Sequence, residues 1–471
     1  MKRLTGWDAF LLYSETPGVH MHTLKIAVVE LGEAAPRQFG VDEFRKVIHS
    51  RLYKLEPLRY ELVDIPLKFH HPMWRENCPV DLAYHIRPLT LPAPGGRREL
   101  DDAIGEIAST PLDRSRPLWE MYFIDGLADG RIAVVNKIHH ALADGVAAAN
   151  LLARGMDLQA EPAEERSYDT DPAPTRGELV RSAFRDHFRQ IAKVPSTVRY
   201  TAQGVNRVRH SSRKLSPQLT RPFTPPPSFM NHMLKPERRF ATATLSLAEV
   251  KDTKNHLDVS INDLVLGICA GALRKLLLRY DGVADHPLLA SVPVSFDFSA
   301  DRISGNYFTG VLMPVPVELD EPLARVRRAH DDAVLAKESN HLIGPEVVSR
   351  WSDYMPPAAA EGLFRYLSSR DGQNKVLNLN ISNVPGPREY GRVGGALVTE
   401  VYSVGPLTAG SGLNITVWSY VGQLNISVLS DHQSVSDAHE VTTAMVDEFV
   451  EIRRAAGLST ELTVVDKAMP N

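Results

Sequence analysis

Cysteine is almost missing from this chain of 471 residues, which contains Cys78 and Cys269 alone. The two are far apart and lack C-x-x-C spacing, so neither a disulfide framework nor a zinc site is indicated, and a reducing cytoplasm fits best. An excess of positive charge is missing too. With a net charge of −4, the chain does not fit a general nucleic-acid binder, whose phosphate contacts need a strongly basic face. No long apolar run spans a membrane's width: Val401 to Ser430 carries no charge, yet Gly, Pro, Asn and Ser interrupt it throughout. Leu413 to Tyr420 and Leu424 to Ser430 read instead as a buried hairpin around Val421-Gly422-Gln423. The opening Met1 to Asp8 lacks the apolar stretch of a signal peptide, and no G-x-S-x-G elbow for an acylated serine occurs.

Hydrophobic residues make up 43% of the chain, ample for packed cores, and the length exceeds what one core usually supports, so two domains are expected. Residues 1–158 alternate strand and helix patterns, with a strand over Leu24 to Glu30 and helices over Val41 to Lys54 and Arg98 to Ser109, giving an α/β or α+β domain. From 159 to 239 the composition shifts to a linker with Pro172-Ala173-Pro174 and Pro225-Pro226-Pro227. Inside it Val180, Phe184, Phe188 and Ile191 share one helical face, while Arg181, Arg185, Arg189 and Lys193 take the others and Arg199, Arg207, Arg209, Arg213 and Lys214 extend the charge. This basic amphipathic segment fits either contact with an anionic membrane or lipid droplet, or an interdomain helix docked by its Phe face. Residues 240–471 form the second domain. Its clearest helix follows Ser260 as N-cap and carries Leu264, Val265, Ile268 and Cys269 in a core stripe, which makes Cys269 a buried hydrophobe rather than a nucleophile.

Histidine, carboxylate and glycine converge at one place, Lys137-Ile138-His139-His140-Ala141-Leu142-Ala143-Asp144-Gly145. A strand over Arg131 to Ile138 runs into it and a helix starts near Asp144. Imidazole accepts and returns a proton near neutrality, so a positioned His is the default general base. Strand alternation sends His139 and His140 to opposite faces; one of them is the base, and spacing leaves open which. Asp144 can orient that imidazole, bond a nearby Arg to hold the loop closed, or cap the helix, and Gly145 allows a tight turn into it. His70-His71 has no Asp-Gly after it and reads as structural.

H-H-x-x-x-D-G is the signature of the CoA-dependent acyltransferase superfamily, and the neighbouring blocks narrow the resemblance. Pro111 to Trp119, with Pro117-Leu118-Trp119, Asn262-Asp263, Gly305-Asn306, and Asn380-Ile381-Ser382-Asn383-Val384-Pro385-Gly386-Pro387 resemble, in the same order, the blocks of the bacterial wax ester synthase/diacylglycerol acyltransferase family. One departure is Pro293 to Asp297, where many relatives carry a basic residue soon after the Ser. The resemblance implies two chloramphenicol-acetyltransferase-like domains with a channel between them, transfer of a long-chain acyl group from acyl-CoA to diacylglycerol or a fatty alcohol, and no cofactor beyond the acyl-CoA substrate. It also implies His140 as base, with His139 beside it, Asp144 and Gly145 as the structural turn, and Asn262 near the reacting carbonyl. Ser382, Asn383, Pro385, Gly305 and Asn306 are placed on the substrate side. Two rivals share features of this reading: a condensation domain acting on carrier-bound acyl groups, and a non-enzymatic lipid-coat protein.

Overall fold

The computed structural model describes residues 1–32, 39–155, 170–211, 225–344, 346–369, 376–463 and 465. Its strands are β1 (Lys2–Arg3), β2 (His22–Glu30), β3 (Glu61–Val63), β4 (Met73–Arg75), β5 (Ile86–Thr90), β6 (Trp119–Asp125), β7 (Ile132–His139), β8 (Arg238–Ser246), β9 (Leu288–Ser295), β10 (Phe308–Val315), β11 (Leu379–Pro385), β12 (Arg392–Val393), β13 (Ala396–Val404), β14 (Leu413–Tyr420) and β15 (Gln423–Asp431). Helices are α1 (Gly6–Tyr13), α2 (Val41–Arg51), α3 (Leu82–His85), α4 (Arg97–Ser109), α5 (Gly145–Gly155), α6 (Arg176–Ser211), α7 (Leu247–His256), α8 (Ile261–Tyr280), α9 (Pro322–Ile343), α10 (Val347–Ser352), α11 (Pro357–Leu367) and α12 (His439–Ala455).

Two six-stranded sheets organise these elements, in the orders β12-β13-β2-β7-β6-β5 and β10-β9-β11-β14-β15-β8. The hairpin read around Val421 is present as β14 and β15, and Val421 turns it with φ of 51°. A boundary at residue 240 does not separate the sheets, however. β12 and β13, from the second half of the chain, complete the first sheet, with Val404 paired to Leu24 and Tyr402 to Ile26 on β2. Strand pairing is decided by which edge is open in space, and β2 presents that edge far from its own sequence neighbours. The two sheets then meet through side chains: Asn425 on β15 donates to the Val401 carbonyl at 2.8 Å, and the Tyr420 hydroxyl to that of Val398 at 3.0 Å.

α8 is the central helix of the second core, with Leu264, Ile268, Cys269, Ala272 and Leu273 all fully buried. Ser260 caps it by accepting from the Asp263 N–H, while Asp263 accepts from the Ser260 N–H, a reciprocal capping box. Trp119 is likewise core, donating from Nε1 to the Leu58 carbonyl. His70 and His71 are buried and serve structure: the His71 N–H donates to His70 Nδ1, and His71 Nδ1 meets the Tyr13 hydroxyl.

α6 overturns part of the reading of the linker. It docks by Leu179, Ala183 and Thr197, which are buried, and by Asp186, His187 and Gln190, which bond Arg3, the Phe69 carbonyl and the Asp353 carbonyl. Phe184, Phe188 and Ile191 face outward instead, with Phe188 72% exposed. The apolar stripe selected by hydrophobicity is therefore the free face, because small and polar side chains allow closer seating against β4 and α10. Arg213 and Lys214 lie outside the described residues.

Candidate active site

β7 delivers the two histidines. His139 is its last residue and is fully buried; its N–H donates to the Leu118 carbonyl, and its Nδ1 accepts from the Ala141 N–H. With Nδ1 an acceptor, the ring proton is on Nε2, 3.3 Å from Glu15 Oε1. Burial opposes ionisation of Glu15, but His139 and Arg114 beside it hold the carboxyl well below the usual carboxylate range. His139 thus commits Nδ1 to the motif's own backbone and turns Nε2 toward Glu15, just beyond the C-terminus of α1.

His140 follows on the other side. Its backbone N–H donates to the Met21 carbonyl at 2.7 Å. Its Nδ1 lies 2.9 Å from Asn306 Oδ1, while the Asn306 amide nitrogen donates to the His140 carbonyl at 2.9 Å and to Asp8 Oδ1 at 2.7 Å. An amide whose nitrogen has two acceptors must present its oxygen to the imidazole, so Nδ1 carries the proton. Nε2 keeps its lone pair and has no hydrogen-bond partner among the described residues. Burial lowers the His140 pKa from its ordinary value, partly countered by Asp144, so the ring is neutral at neutral pH. A neutral imidazole with a fixed Nδ1–H and a bare Nε2 is the state a general base requires.

Asp144 does not touch either imidazole. Its Oδ1 accepts from the Ala147 N–H at 2.9 Å, capping α5, and from Arg302 Nη2 at 3.0 Å; its Oδ2 accepts from the Tyr307 N–H at 2.8 Å. Capping and the arginine bond, which the sequence left as alternatives, are both made. Gly145 needs no unusual backbone: a Cβ there would meet only Val384 at 3.5 Å, an ordinary contact, so the tight turn expected of it is not found. The demanding glycine is Gly305, at φ of +80°, which donates to the Leu142 carbonyl at 2.7 Å and accepts from the Asp144 N–H. Gly305 and Asn306, placed by sequence on the substrate side, thus clamp the motif itself.

Ser382, Asn383 and Pro385 lie on β11, paired in parallel with Thr416, Val417 and Ser419. The next residue, Gly386, is pressed so closely on Trp418 that a Cβ would fall 2.2 Å from its Nε1. This block therefore reaches α5 through Val384 and seats it against the second sheet. Asn262 is in the first turn of α8, partly buried, and no described contact brings it to His140.

Two features escaped the sequence reading. Lys25, on β2, is buried, donates to Ser403 Oγ and lies 4.7 Å from the Trp418 ring; burial lowers its pKa to about 7 despite the attraction of Asp144. A path of aromatic rings runs from His140 to Phe308 at 5.6 Å, on to Trp7 at 5.7 Å, Phe10 at 6.4 Å and Phe364 at 5.7 Å. The last three line an apolar cavity of about 200 Å³, with Met21 and Leu367 on its walls. Among the described residues no three His, Cys, Asp or Glu side chains cluster as metal ligands would.

The catalytic-domain profile of wax ester synthase/diacylglycerol acyltransferases matches residues 4–265, and that family's C-terminal-domain profile matches residues 304–453. A Mycobacterium tuberculosis protein provisionally named a diacylglycerol O-acyltransferase is 70% identical over 469 residues, spanning 100% of this chain and 99% of its own; another is 34% identical over 96% and 90%. Among solved structures, the wax ester synthase/diacylglycerol acyltransferase of Marinobacter aquaeolei superposes with a TM-score of 0.68 at 22% identity, over 97% of this chain and 100% of that one. The first condensation domain of the calcium-dependent antibiotic synthetase shares the fold at a TM-score of 0.59 and 14% identity, over 98% and 99%. The chain belongs to the wax ester synthase/diacylglycerol acyltransferase family of acyltransferases.

Proposed function

We propose that this enzyme moves a long-chain acyl group from acyl-CoA directly to the hydroxyl of diacylglycerol or a fatty alcohol, with His140 as general base and no group needed beyond the two substrates. The observation that carries the reading is the state of His140, whose Nδ1–H is held by Asn306 while Nε2 is bare. In the reaction Nε2 takes the hydroxyl proton as the alcohol oxygen attacks the thioester carbonyl. The C–O bond forms, the C–S bond breaks, and the proton passes from Nε2 to the departing CoA sulfur. The apolar cavity beyond Phe308 suits an alkyl chain. Direct transfer is supported by the cysteines: both are buried, and burial pushes the Cys269 thiol up to about 12, leaving no thiolate nucleophile.

Diacylglycerol resides in membranes, and among the described residues no helix is long and apolar enough to cross one. The outward face of α6 supplies a way to reach it from the cytoplasmic side of a membrane or from a lipid droplet. Phe184, Phe188 and Ile191 stand exposed beside Arg181, Arg185 and Arg189. The Phe184 ring lies 5.0 Å from that of Phe69 in a tilted contact, next to Leu67, which is wholly exposed at the tip of its loop. Aromatic and aliphatic tips flanked by arginines match the boundary between headgroups and acyl chains.

Purified protein supplied with labelled long-chain acyl-CoA and, separately, diacylglycerol, a long-chain alcohol and a carrier-bound amine tests the reading. Ester with stoichiometric free CoA is expected from the first two. Turnover of the carrier-bound substrate alone would give the condensation-domain reading, and label trapped on the protein would exclude direct transfer.

A further inference from the structure

Asn306 fixes the imidazole only as long as its own amide cannot turn over. Its two ends have nearly the same shape, and rotation by half a turn would present the nitrogen to His140 Nδ1. The ring would then have to accept at Nδ1 and carry its proton on Nε2, which is the wrong tautomer for a base. One of the two acceptors opposing that turn is the His140 carbonyl. The other is the carboxylate of Asp8, and it makes the shorter bond, 2.7 Å.

We infer that Asp8, in the first turn of α1, is a positioning residue that sets the tautomer of His140 through Asn306. An ionised carboxylate has no donor to offer a reversed amide, so it admits Asn306 in one orientation only. Asp8 is itself held rigidly. Its Oδ2 accepts from the Thr5 hydroxyl at 2.7 Å, while its own N–H donates to the same hydroxyl at 3.0 Å, which caps α1. Asp8 is 6% exposed, and its described side-chain bonds are to Asn306 and Thr5, not to a cation. A buried carboxylate held by neutral donors costs stability. Its place in the first turn, bonded to the N-cap Thr5, accounts for one carboxylate oxygen, and the other is given to Asn306. Burial pushes this carboxyl up to about 6, against the pull of Asn306 and Thr5, so it remains ionised at neutral pH.

The inference rests on His140 being the base only for its effect on rate; the tautomer can be read independently. Imidazole ¹⁵N spectra of histidine-labelled protein, with the spectrum of His140→Gln subtracted to isolate one ring among 17, report which nitrogen is protonated. Wild type is expected to show Nδ1–H. Asp8→Ala should lose that signature and at least tenfold in kcat, with KM for acyl-CoA within about twofold. Asp8→Asn can accept from Asn306 as Asp8 does but can also turn and donate to a reversed amide, and should recover the signature and the rate only in part. Asp8→Ala combined with Asn306→Ala should be no slower than the slower single variant, because both break one relay. Should Asp8→Ala not fold, Asp8→Ser gives the same test. An unchanged Nδ1–H signal in a folded Asp8→Ala or Asp8→Ser protein would overturn the inference, as would multiplying losses in the double variant. If His140→Gln is itself active, the base assignment fails while the spectra still decide the role of Asp8.

Discussion

Arg302 and Asp144 meet at 3.0 Å across 158 residues of chain, with side chains 8% and 3% exposed. Arg302 also donates to the carbonyls of Gly305 and Asp297, so one guanidinium ties together the motif's carboxylate, the clamp glycine and the loop after β9. The active loop is assembled by this crossing, because the residues that hold it are far apart in the sequence.

Removing one partner of such a buried pair leaves a charge without compensation and costs about 3–5 kcal/mol. Arg302→Met should therefore lower the urea midpoint by that equivalent and abolish most turnover. Arg302→Lys should recover part of the stability, since an ammonium cannot reach all three acceptors. A melting curve for Arg302→Met that superposes on wild type would show that the crossing is not what holds the loop.

His140→Ala should lower kcat by about 10²–10⁴-fold, the usual range for loss of a general base, with little change in melting temperature. His139→Ala should do the reverse: a less stable protein whose remaining folded fraction is more active than His140→Ala. Because burial sets His140 below its ordinary value of 6.5, the acid limb of kcat/KM should lie below pH 6.5. A limb centred above 6.5 would contradict the assignment.

Lys25 gives a stability prediction with a definite sign. Its pKa falls from 10.5 to about 7 on burial, so between those values the unfolded chain binds more protons and stability rises with pH, by up to roughly 1.4 kcal/mol per pH unit. Below 7 the folded state holds the proton as well, and the cost is fully present. Lys25→Met should thus be favoured over wild type most at pH 6, with the gap closing toward pH 10. Parallel unfolding curves for the two proteins across that range would refute a depressed lysine.

At a lipid surface each arginine contributes about 1 kcal/mol. Arg181→Gln, Arg185→Gln and Arg189→Gln together should weaken binding to anionic vesicles, with a smaller effect at high salt, where the attraction is screened. Turnover of a short, water-soluble alcohol should be unaltered. Equal loss on soluble and vesicle-held acceptors would make α6 a strut between domains and nothing more.

Much of the site could be read from the chain because strand, loop and helix follow one another there: β7, the motif and α5 are local, and periodicity reveals local elements. The N-cap at Ser260 and the buried Cys269 were legible for the same reason, although the reciprocal bond from Asp263 was not. What holds the motif was not. Asp8, Glu15, Arg302 and Asn306 contact it over long sequence separations, and such pairs leave no period to detect. The strand content after Val401 was visible, but not that β13 pairs with β2. α6 misled because hydrophobic spacing marks an apolar stripe without saying whether protein or solvent covers it.

The late closure of the first sheet also bears on how the protein is made. β2 is translated early and its edge stays open until β13 has left the ribosome, although the histidines beside it are synthesised long before. An open edge is a template for pairing with other chains, and long-range pairing is slow to form. Nascent chains stalled before Ala396 should remain protease-sensitive and depend on chaperones, and those extended past Val404 should become resistant. Resistance already present in the shorter chains would mean that the first sheet closes without its last strands.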